Sequence, residues 1–99
     1  MAWVRDIDSF YNFIGYVVLS APDRFPREDY LEEEEQMNLE RAFDELRHGI
    51  ELVEKDFPGA NAERGLQSLL DRALLSYRSG DEVTGAHLLQ DFEQLVFKG

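Results

Sequence analysis

The segment Leu39-Glu40-Arg41-Ala42-Phe43-Asp44-Glu45-Leu46-Arg47-His48-Gly49-Ile50-Glu51-Leu52-Val53-Glu54-Lys55-Asp56-Phe57 decides the fold class. Leu39, Phe43, Leu46, Ile50, Val53 and Phe57 recur at gaps of four and three, with charged residues filling most of the positions between. That period draws one apolar stripe along a helix, whereas a half-buried strand would alternate. Gly49 interrupts the segment at a cost of about 1 kcal/mol relative to alanine. Either another helix approaches closely there or the defect is simply tolerated.

The same period runs outward in both directions. Upstream, Trp3, Ile7, Phe10, Ile14 and Val17 form a stripe, and the β-branched run Tyr16-Val17-Val18 lies inside it. Downstream, Ala62, Leu66, Leu69 and Ala73 form one row, and Leu70, Leu74 and Tyr77 the next. In the last segment Val83, Leu88, Phe92 and Leu95 mark the inner face, flanked by Leu89 and Val96. Breaks at Ala21–Arg27, with two prolines, at Pro58-Gly59-Ala60-Asn61 and at Ser79-Gly80-Asp81 separate the segments. Cap chemistry agrees: Asp29 with Glu32 in capping-box position for the second helix, Asn61 for the third, Asp81 for the fourth, and Gly80 to close the third. The expected fold is all-α, a compact four-helix up-and-down bundle with helices at about 3–20, 29–57, 62–79 and 82–97, in one helical domain over 1–99.

From Asp29 to Asn38 the second stripe has no apolar row to bury, since stepping back from Leu39 lands on Gln36 and Glu32. This part, with Glu32-Glu33-Glu34-Glu35, is read as a projecting helix end or a frayed lead-in. Four acids favour a helix start through its macrodipole but repel one another.

Length and composition bound the function. With 99 residues, 43% hydrophobic and 12% aromatic, the chain suits one core without staples, and it is too apolar for a disordered segment. No cysteine means no disulfide framework and no thiolate metal site, which fits a reducing, cytoplasmic compartment. No targeting segment is expected, because the opening residues carry Asp6 and Asp8 and the apolar run Phe13–Leu19 is short. The 21 acids outnumber the 10 bases for a formal charge of −11, which repels nucleic acid and anionic lipid and attracts a basic protein.

Enzyme signatures are absent. Glu45-Leu46-Arg47-His48 has the Glu-x-x-His spacing of di-iron bundles, but His48 lies about 200° round the helix from Leu46 at ~100° per residue, facing solvent. Asp44 with His48, and His87 with Asp91, read as exposed surface pairs. Neither a phosphate-binding loop nor a nucleophile elbow occurs. No catalytic, metal or cofactor residue is therefore assigned.

Seven of the twelve aromatics fall within the first thirty residues. Either the first helix is the central, most buried one, or one of its flanks joins Phe25, Tyr30 and Met37 in an exposed patch. Tyr30 beside the acids has the makings of an interface anchor. The expected partner-binding residues are Tyr30, Leu31, Glu32, Glu33, Glu34, Glu35, Met37, Glu40 and Asp44. Size, helical pattern and acidity together are similar in type to small bacterial immunity proteins that neutralise basic nuclease toxins, without a shared motif. That similarity implies an inhibitor-type, non-enzymatic protein that docks a basic partner. The alternative is a self-associating structural or regulatory module, in the simplest case a homodimer.

Overall fold

Each helix begins where a polar side chain can take over an orphan backbone donor. The Asp6 carboxylate accepts from Ser9 N at 2.8 Å, and Ser9 Oγ accepts in return from the Asp6 amide at 3.0 Å. This capping box opens α1 (Ile7–Ser20). Asn38 Oδ1 accepts from Arg41 N at 2.9 Å and opens α2 (Leu39–Asp56). Beyond α2 come a short α3 (Ala60–Arg64), α4 (Leu66–Arg78) and α5 (Glu82–Phe97), the last capped by Asp81 through Thr84 N at 3.1 Å. The computed structural model describes residues 4–21, 25, 27 and 29–97, and among these there is no strand. Trp3, expected at the head of the first stripe, lies outside the described residues.

The four long helices are neighbours in chain order: α1 packs on α2, α2 on α4, α4 on α5, and α5 back on α1. The ring closes into an all-α bundle measuring 38 × 29 × 17 Å. Its radius of gyration of 13.1 Å is that of a compact chain of about 100 residues, ~13 Å. No helix among the described residues is long and apolar enough to cross a membrane.

The core is built from the predicted stripes. Phe10, Ile14, Val17, Phe43, Leu46, Val53, Leu66, Leu70, Leu89 and Phe92 are buried. Phe10 meets Phe92 edge-on at 5.8 Å and Phe97 at 6.0 Å between ring centroids. On the other side Phe43 meets Tyr77 at 6.1 Å. Gly49 is the point of close approach: a Cβ there would overlap the Phe10 ring. Gly85 plays the same part between α5 and α4, where a Cβ would lie 2.8–2.9 Å from the Tyr77 ring.

Several boundaries and faces differ from the expectations. The second helix starts at Leu39; residues 29–38 form a turn, one 3-10 turn (Glu33–Glu35) and an extended approach. The cap is therefore Asn38, and Asp29 is an exposed turn residue. With no apolar face to bury, those residues had nothing to hold them helical.

The third segment is broken at Gly65, whose φ of +64° separates α3 from α4. Asn61 still caps, but across the break: its Oδ1 accepts from Gln67 N at 2.8 Å in the first turn of α4. At the far end of α4, Gly80 takes φ +90°. Its amide bonds Tyr77 O at 3.2 Å and the next amide bonds Ser76 O at 2.8 Å, a Schellman closure. Phe57 and Val83, read as inward, are 58% and 68% exposed, and Ala62 is exposed too. Phe57 follows the end of α2, and Val83 stands in the first turn of α5 while Gly85 turns inward.

Candidate functional site

The expected partner-binding residues occupy the N-terminal approach to α2 and its first two turns. Tyr30 is 73% exposed and Leu31 partly so. Glu33, Glu34 and Glu35 on the 3-10 turn, and Glu32 just before it, are all exposed. The segment is held in place from within and at its end. The Gln36 side-chain amide donates to Leu31 O at 2.9 Å, and the Glu32 amide donates to the Glu35 carboxylate at 3.3 Å. Met37, offered as a surface anchor, is instead a core residue at 7% exposure. It plugs the segment into the bundle, because its thioether chain sits one residue before the Asn38 cap and points inward with the core.

Arginines of the same chain meet part of the acidity. Arg27 pairs with Glu33 at 2.5 Å and holds that carboxyl below its ordinary value through a side-chain hydrogen bond and charge attraction. Arg78, at the end of α4, pairs with Glu40. Arg47 pairs with Asp44 at 3.3 Å and with Asp71 at 3.7 Å. These pairs are exposed, so each adds little to stability, but each lowers the local negative potential. Glu32, Glu34 and Glu35 form no ion pair among the described residues, so their negative charge on and beside the 3-10 turn is left uncompensated by close pairing. Beside it a cleft of about 280 Å³ is lined by Phe25, Arg27, Glu33, Gln36, Met37 and Asn38.

The first helix resolves the question of its aromatics. Phe10 and Phe13 are buried, while Tyr11 is 52% exposed and stacks edge-on against Phe97 at 5.1 Å. Phe25 packs on Tyr16 at 5.7 Å. Phe25 is thus part of the bundle edge, and of the patch imagined around Phe25, Tyr30 and Met37 only Tyr30 stands clear.

The histidines follow solvent-facing positions. His48 is exposed, and its Nδ1 lies 3.5 Å from Glu51, so its neighbour is Glu51 while Asp44 turns to Arg47. His87 is exposed on α5. Among the described residues no three His, Asp or Glu side chains converge as metal ligands.

One arrangement escaped sequence reasoning. At the opposite end of α2 an open pocket of about 350 Å³ is walled by Ile7, Val53, Phe57, Val96 and Phe97, with Asp56 and Arg64 at its lining. It joins residues from four helices and a turn, so no local pattern announces it.

Fold and surface together define a small all-α bundle that presents a tethered acidic turn with the exposed Tyr30 beside it. The chain matches no protein-family model, no curated protein and no solved structure.

Proposed function

We propose that this protein is a non-enzymatic binding module that docks a basic protein partner through residues 30–35, an inhibitor of immunity type being its sharpest form. The observation that carries the reading is the 3-10 turn Glu33–Glu35 with its neighbour Glu32, exposed beside Tyr30 and anchored by Met37. A pre-ordered acidic turn loses little entropy on docking. Its field speeds the approach of a cationic surface, and an exposed tyrosine supplies a contact of large area with few rotors. Glu40 and Asp44, already faced by Arg78 and Arg47, serve as the rim.

The test is affinity capture from the native cell at low salt, with identification of what elutes as salt rises. A basic protein released by salt, and lost from a variant with Glu32, Glu34 and Glu35 changed to glutamine and Tyr30 to alanine, is the expected result. Recovery of the same partners at every salt, or by the variant as well as the parent, overturns the reading.

Self-association is the second reading. Leu19 is 80% exposed and Leu75 67% exposed, apolar surface that a second copy could cover. Sedimentation that returns only one-chain mass at high concentration removes it.

A further inference from the structure

We propose that the pocket at the C-terminal end of α2 is a binding site for a free α-amino acid with an apolar side chain. Ile7, Val53, Val96 and Phe97 supply apolar lining, and Phe57 stands at the rim with 58% of its surface exposed. Its volume of about 350 Å³ falls at the small end of ligand sites, roughly 300–1,000 Å³, and its make-up of apolar walls with few polar groups is theirs too.

Those polar groups are one of each sign. Asp56 and Arg64 line the same pocket, yet they form no ion pair with each other, and among the described residues Asp56 has no ion-pair partner. Arg64 is fixed as part of the wall: Nη1 donates to Leu95 O at 3.2 Å, and the guanidinium carbon stands 5.8 Å from the Phe57 ring centre. A guanidinium has five N–H donors, so this leaves others for a carboxylate. A lone cation would meet Arg64 and a lone anion would meet Asp56. A zwitterion answers both, its ammonium on Asp56 and its carboxylate on Arg64, with the side chain against the apolar lining. This inference does not depend on the acidic turn, which lies at the other end of α2, about 27 Å away for eighteen residues.

The test is titration of the isotope-labelled protein with L-leucine, followed through its backbone amide resonances. Leucinamide, which lacks the carboxylate, and 4-methylpentanoate, which lacks the ammonium, are the comparison probes. Saturable shifts at Asp56, Phe57, Arg64 and Phe97 are expected. L-leucine should bind about fivefold more tightly than either comparison, the ratio a partly exposed ion pair supplies. Among the described residues the Asp56 side chain forms no ion pair or hydrogen bond, so Asp56→Asn is expected to keep the fold, as an unchanged spectrum elsewhere will verify. It should abolish the advantage of L-leucine over 4-methylpentanoate and preserve that over leucinamide. No saturable shift with L-leucine, or equal binding of all three probes, overturns the proposal.

Discussion

Phe10 and Tyr77 are the residues on which the packing turns, and each is matched by a glycine on a neighbouring helix. In an isolated helix Gly49→Ala would gain about 1 kcal/mol from propensity. Here the new methyl would meet the fully buried Phe10 ring, and overpacking costs about 1–3 kcal/mol. The clash wins, because Phe10 is boxed in by Phe92 and Phe97 and has nowhere to turn. Gly49→Ala is therefore expected to lower the urea midpoint; a raised midpoint would show that the ring gives way.

Tyr77 is 4% exposed, and its hydroxyl finds no hydrogen-bond partner among the described residues. Leaving such a group unsatisfied costs about 1–3 kcal/mol, so Tyr77→Phe should be neutral or stabilising by about 1 kcal/mol. Burial, with the negative charge of Glu82 behind it, pushes the phenol up to about 12 from an ordinary 10.0. The unfolded chain ionises first, so the stability lost between pH 10 and 12 should be lost less steeply in the Tyr77→Phe variant. Urea midpoints for both chains across that range decide it, and parallel curves would sink the argument.

At the scale of elements, caps decide where helices begin. Asn38→Ala removes the acceptor for Arg41 N and is expected to cost about 1 kcal/mol, read from chemical denaturation. An unchanged midpoint would mean that α2 starts elsewhere. Asp6 and Asp81 hold their carboxyls below the ordinary 3.8 by accepting hydrogen bonds from Ser9 and Thr84. Their contribution is present above the ordinary carboxylate value and fades as pH falls through the lowered ones.

Elements were legible to different depths. The α5 cap at Asp81, the Gly80 closure and the stripes of α1 and α2 could be read directly, because each depends on residues within a few positions. The break at Gly65 could not, since an isolated glycine in a helical pattern is ambiguous between a tolerated defect and a left-handed turn. Glu54 settles the neighbouring turn by accepting from the Gly59 and Asn61 amides at 2.7 and 2.8 Å, contacts that no spacing rule anticipates.

For the whole molecule, charge and packing pull in opposite directions. The net charge of −11 makes the folded chain repel itself, while the ion pairs among the described residues are exposed. Long-range repulsion should outweigh them, because exposed pairs contribute about 0–1 kcal/mol each. Raising salt from about 0.01 to 0.15 M shortens the Debye length from about 30 to 8 Å and should raise thermal stability. A midpoint that falls with salt would show that the arginine pairs dominate.

Periodicity, composition and short-range turn chemistry were enough to read the all-α class, the apolar stripes of the long helices and the acidic surface from the chain. Tertiary structure alone decided that Met37 is buried in the core while Tyr30 stands exposed. It alone set Gly49 and Gly85 against aromatic rings, paired Glu40 with Arg78, and gathered Asp56 and Arg64 at one apolar pocket. The physical reason is range. Burial and charge pairing depend on which distant segment arrives at a given face, and Arg78 and Glu40 meet across 38 positions of chain.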